Sequence, residues 1–162
     1  MRALVLLCAL LIASPAIASD VEKQLLGVWR LESFYTEFKA TGERKNLYGE
    51  RPNGYLVFTP EKRMIGIVTA EQRNKPNTDE DRIAAFQSMI AYSGIYRVEG
   101  DRWVTKVDVA WTEAWIGTEQ MRFFKLESDK LTVTSMWQPS PNLPGKPEAR
   151  GVLVFTRVRV GQ

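Results

Sequence analysis

"AWTEAWIGTEQMRFF", residues 110–124, sets two tryptophans four positions apart, then a glycine, then a run that mixes charged, polar and apolar residues. Two readings compete for it. On a helix, Trp111 and Trp115 would lie one turn apart on one face; on a connection between strands they would stand at the rim of something hollow. Gly117 and the strand-like "TEQMRFF" behind it argue against a continuous helix, so Trp111–Gly117 reads as a link and Thr118 as the start of a wall.

Reading outward, the same wall pattern recurs on both sides. Short runs rich in β-branched and aromatic residues occupy 28–38, 55–59, 63–69, 94–100, 102–110, 118–127, 130–137 and 151–160, broken by turns at Pro60-Glu61-Lys62, Gly100-Asp101 and Ser128-Asp129. In "RWVTKVDVA" (102–110), Trp103, Thr105, Val107 and Val109 alternate with Arg102, Lys106 and Asp108, which gives the segment an apolar and a polar face. One interruption differs. In "NTDEDRIAAFQSMIAY" (77–92), Thr78 is placed to cap, Asp79, Glu80 and Asp81 fill the first turn, and Ile83, Phe86 and Ile90 make a single stripe, the signature of an amphipathic helix. Eight strands with one helix between the third and fourth do not alternate as a parallel sheet requires. The expectation is all-β: an eight-stranded antiparallel up-and-down barrel, whose closure removes exposed edges and leaves room for one small ligand. "QPSPNLPGKPEA" (138–149) lies between strand signals and is a loop within that one domain.

The amino terminus carries a different message. "MRALVLLCALLIASPAIASD" has one basic residue, an apolar run over 3–13, a Ser14-Pro15 break and the small-x-small Ala16-Ile17-Ala18, the pattern of a cleaved secretory signal over residues 1–18. As a membrane anchor the run falls short of the roughly 20 residues a span needs, and as a lipoprotein site Cys8 sits too far inside it. The expected mature domain is 19–162, periplasmic or secreted, with no membrane span. That leaves 144 of 162 residues and lowers the net charge from +3 to +2. A chain of this size buries roughly 70 % of its unfolded surface and needs no staple.

Composition excludes much chemistry. Cys8 is the one cysteine and there is no histidine, so thiolate and imidazole catalysis and most zinc sites are absent from 19–162. No metal or cofactor is expected. Asn77-x-Asp79-x-Asp81 imitates a calcium loop, but Arg82 stands where glycine is required and Ser88 where the closing glutamate belongs. Despite a pI near 9.1, basic residues are interleaved with acids and form no stripe, so no nucleic-acid partner is expected.

Five segments carry a resemblance: "LLGVWRLESF" (25–34), "NGYLVFTPEKRMIG" (53–66), "AYSGIYRVEGD" (91–101), "WIGTEQMRFFKLESDKLTV" (115–133) and "GVLVFTRV" (151–158). In this order they resemble the bacterial lipocalin-like domain family, with its Gly-x-Trp start and Gly-Thr-Glu-Gln segment. The resemblance implies a small calycin-type barrel, a fold that serves carriers, envelope binders and a few isomerases or cyclases alike. It also implies that Trp29 plugs the barrel floor beneath a basic residue of the last strand, Arg157 or Arg159. The tryptophan-rich rim and the secretory signal depart from what the family leads one to expect, and they favour an envelope role over a cytoplasmic one.

The candidate ligand-binding residues follow from the barrel. Trp111, Trp115 and Trp137 sit at loops or strand ends, where an open mouth would grip an apolar or flat molecule. Tyr55, Tyr92 and Tyr96 add hydroxyls. In "GTEQMRFF" the alternation sets Glu119, Met121 and Phe123 against Gln120, Arg122 and Phe124, and either face can be the inner one. An inward Glu119 would be an acid, base or anchor, whereas an inward Arg122 would favour an anionic ligand. The leading reading is an exported carrier of a small apolar or amphipathic molecule. Its rivals are a cofactor-independent isomerase or cyclase working through Glu119 or Tyr92, and a structural envelope protein with a filled barrel.

Overall fold

The computed structural model describes residues 15–140, 143 and 145–159. Most of the expected signal segment, with Cys8, lies outside them; its last residues, 15–18, fall in the first helix, α1 (Pro15–Leu25). The strands are β1 (Gly27–Phe38), β2 (Arg44–Lys45), β3 (Asn53–Phe58), β4 (Arg63–Thr69), β5 (Met89–Glu99), β6 (Arg102–Ala110), β7 (Glu119–Glu127), β8 (Lys130–Ser135), β9 (Gln138–Pro139) and β10 (Glu148–Arg157), with α2 (Asp79–Gln87) before β5 and a 3-10 turn, η1 (Glu113–Trp115), before β7. Eight of them pair antiparallel in the order β1-β3-β4-β5-β6-β7-β8-β10, and β10 returns to β1. The barrel is closed. The two-residue strands β2 and β9 are additions, to β1 and β10 respectively.

The turns fall where the sequence places them, at Lys62, Gly100 and Ser128, all with positive φ. Two bulges do not. The β1–β10 register slips at Glu32, so Trp29 and Leu31 face inward before the slip and Phe34 and Thr36 after it. In β5–β6 the register passes from Ser93–Val109 to Gly94–Val107, leaving Asp108 unpaired. The bulge turns Val109 outward, 62 % exposed, where strict alternation places it with Trp103, Thr105 and Val107. Gly94 belongs to this irregularity, since a Cβ there would lie 2.0 Å from the Lys106 carbonyl oxygen. Asp108 is instead held outside by Arg63, at 2.8 and 3.0 Å.

The floor is closed from below. Trp29 is fully buried, its Nε1–H donates to the Leu25 carbonyl at 2.8 Å, and the Arg157 guanidinium lies 4.1 Å over its ring. Arg157 also donates to the Leu26 carbonyl, which ties the end of α1 to the last strand. Arg159 pairs with Asp129 instead.

The helix is shorter than its stripe suggests. Thr78 and Asp81 form the expected capping box, but α2 stops at Gln87 and Ile90 lies in β5, opposite Val68. Pairing with β4 wins over helical periodicity from Met89 onward. No residue of α2 is buried: Ile83 and Phe86 are 57 % and 50 % exposed, so their stripe borders a rim and not the core. Asn77, Asp79 and Asp81, the would-be calcium loop, are the cap itself, the Asp81 carboxylate accepting from the Asn77 and Thr78 N–H groups.

Candidate functional site

The upper end of the barrel borders an inner and an outer space, with a further groove of about 460 Å3 beside them along Phe34, Tyr48, Ser135 and Gly151. The inner one is a cavity of about 160 Å3 walled by Phe34, Leu56, Val68, Tyr92, Trp103, Val133, Leu153 and Phe155, with Arg122, Ser135 and Gln138 toward its mouth. The outer one is a cleft of about 710 Å3 between α2, η1 and β9, bordered by Tyr48, Ile83, Phe86, Met89, Trp111 and Pro139. Ile90, Trp115 and Gln138 border both and form the partition.

Two wall positions of the inner cavity carry no side chain; at Gly151 the room is taken by the Phe34 ring, 3.0 Å from where a Cβ would stand, whereas at Gly66 it is left open. Gly66 stands opposite Leu56 in β3–β4, and Gly151 stands opposite Thr36, which is buried. Both glycines line the space. A Cβ on Gly66 would meet Leu56, Tyr92 and Met64 at ordinary distances of 3.6–3.7 Å, and it would point into volume that is open. A glycine inside a strand pattern weakens local packing because it has no side chain, and position 66 borders the open part of the cavity.

Trp115 holds its place by aromatic contacts. Its ring meets Trp111 edge-on at 4.7 Å between centroids and Tyr92 at 5.2 Å. The 3-10 turn that presents it ends at Gly117, whose φ of 78° is a left-handed conformation, and Thr118 donates to the Trp115 carbonyl at 2.7 Å. Arg122 lies against this cluster, 5.5 Å from the Trp115 ring and 5.7 Å from that of Tyr92.

The ambiguity of β7 is resolved by its register. Arg122 is opposite Trp103 and Gln120 is opposite Thr105, both fully buried on the inner face, so Gln120, Arg122 and Phe124 point inward. Glu119 is therefore on the outer face, where it forms a two-point ion pair with Arg97 at 2.7 and 3.2 Å. Those hydrogen bonds hold its carboxyl below the usual range. An inward, desolvated Glu119 does not exist in this fold.

The structure thus brings Trp111, Trp115, Tyr92 and Arg122 together and leaves four of the sequence candidates, Glu119 among them, outside that cluster. Tyr55 borders the inner cavity from the wall strand β3, but it alternates with the buried Leu56 and Phe58 and is 44 % exposed, away from the Trp115 cluster. Trp137 borders neither space; the Arg150 guanidinium stacks on it at 4.3 Å while pairing with Glu37. Tyr96 is buried deeper in the barrel, edge-on to Phe58. Residues that the sequence reading passed over complete the site. Tyr48 stacks on Phe34 at 4.6 Å, and its loop is pinned by Glu71, which accepts from the Glu50 and Arg51 N–H groups.

A closed antiparallel barrel with a plugged floor, an apolar interior gap and an aromatic partition at the other end defines the class of lipocalin-like barrels. The model of the lipocalin-like domain family matches residues 26–158, and the chain belongs to that family. No curated protein matches the sequence.

Proposed function

We propose that the protein is exported and carries one small, mostly apolar molecule in the barrel, taken up from the outer cleft past Trp115. The observation that carries this reading is the 160 Å3 gap behind the partition, walled largely by apolar groups. A gap of this size matches engineered cavities of about 150 Å3 that take up benzene. A larger ligand would extend past Trp115 between Phe86 and Trp111. Export is inferred from the leader pattern of residues 1–18, and α1 retains Leu25, its contact to the floor, if cleavage follows Ala18.

Two features weigh against the rival readings. A filled structural barrel would not leave the space beside Gly66 open. Against a proton-transfer enzyme working through Glu119, none of the described residues bordering either space is acidic, which leaves that reading only the Tyr92 hydroxyl on the cavity wall.

Native mass spectrometry of the protein purified from its own cell envelope tests the proposal. A one-to-one adduct released on denaturation, on a chain beginning near Ser19, is expected. Bare protein that takes up no apolar compound would overturn the carrier reading, and an unprocessed amino terminus would overturn export.

A further inference from the structure

We infer that the molecule held in the barrel is a carboxylate and that Arg122 receives its charged group. The inference rests on the cavity being a ligand site and adds the chemical class. It starts from an unbalanced charge. Among the described residues Arg122 has no acidic partner, whereas Arg82, the other arginine bordering the inner cavity or the outer cleft, is paired with Asp79 at 2.7 Å. Arg122 is half-buried on the inner face against Tyr92 and Trp115, where water screens a charge less than it does outside.

The hydrogen bonds of Arg122 leave a specific part of the guanidinium unused. Nη1 donates to the Met121 carbonyl at 2.7 Å, and Gln120 Oε1 sits between Nη1 and Nη2 at 3.4 Å from each. That end-on contact leaves Nε–H and the neighbouring Nη2–H without an acceptor among the described residues. These two parallel donors are the fork that grips both oxygens of a carboxylate.

Trp103, opposite Arg122 in the β6–β7 register, forms the apolar cavity wall beside it. The cavity therefore suits a short apolar chain or a single ring directed toward Leu56, Val68 and Val133, with its carboxylate at Arg122 under the Trp115 partition.

The test is calorimetric titration of the full-length wild-type protein with benzoate and hexanoate and with their neutral counterparts, benzamide and hexanamide. The acids are expected to bind about tenfold or more tightly than the amides. In Arg122→Met the preference should vanish through loss of acid binding while amide binding is retained, and Arg122→Lys should restore part of it. Equal affinity of acid and amide for the wild type overturns the carboxylate inference and leaves the cavity reading standing. Binding of none of the four overturns both. The wild-type comparison decides even if the methionine variant fails to fold.

Discussion

The Arg157 guanidinium lies 4.1 Å over the ring of Trp29, and both are tied to the last turn of α1, Trp29 through the Leu25 carbonyl and Arg157 through that of Gln24. This contact seals one end of the barrel, so the floor and the aromatic partition perform separate tasks. Trp29→Ala is expected to cost about 3–5 kcal/mol, the usual range for truncating a buried aromatic. Trp111→Ala, at the half-exposed rim, should cost about 1 kcal/mol or less. Urea denaturation of both variants measures the difference, and comparable losses would contradict the division between floor and rim.

Tyr96 offers a second test, because its hydroxyl is buried without a hydrogen-bond partner. Burial, with a smaller contribution from the Glu22 charge, pushes its pKa from 10.0 up to about 12. A phenol that ionises more easily unfolded than folded gives stability that is whole below pH 10 and lost as the pH rises toward 12. Tyr96→Phe should remove that alkaline component. It should leave neutral-pH stability unchanged or slightly higher, since an unpaired buried polar group disappears. Stability curves between pH 8 and pH 12 that coincide for both proteins would refute the assignment.

Much of this architecture was legible in period-two alternation and turn residues, which is why β6 to β8 and the link at Trp111–Gly117 were readable as wall and rim. Alternation carries no information about an inserted residue, so the slips at Glu32 and Asp108, and with them the inward Phe34 and outward Val109, were not. The inner face of β7 was equally hidden. Both faces carry apolar groups, and only pairing with Trp103 and Thr105 turns Arg122 in and Glu119 out. The loop that seats Tyr48 on Phe34 depends on Glu71, 21 residues beyond Glu50, a separation that local pattern does not reveal.

The proposed export has a chemical consequence. Cys8 is the only cysteine, so a chain processed after Ala18 contains no thiol. Its denaturation midpoint should be identical with and without dithiothreitol, and an intact mass should place the amino terminus near Ser19. A midpoint that moves with reductant would mean that Cys8 is retained.

The central claim is that the gap behind Trp115 is the place where a ligand sits, and Gly66 gives the most direct access to it. Its backbone is not in the left-handed region and its Cβ direction is free of clashes, so Gly66→Val should fold at least as stably as the parent while filling the space. The deciding measurement is a titration of each protein with fluorobenzene followed by fluorine NMR. The wild type is expected to show one saturable site, weakened about tenfold or more in Gly66→Val by the general cost of displacing a well-fitted apolar group. Undiminished binding to the folded valine variant, or no saturable binding to the wild type, would contradict the account.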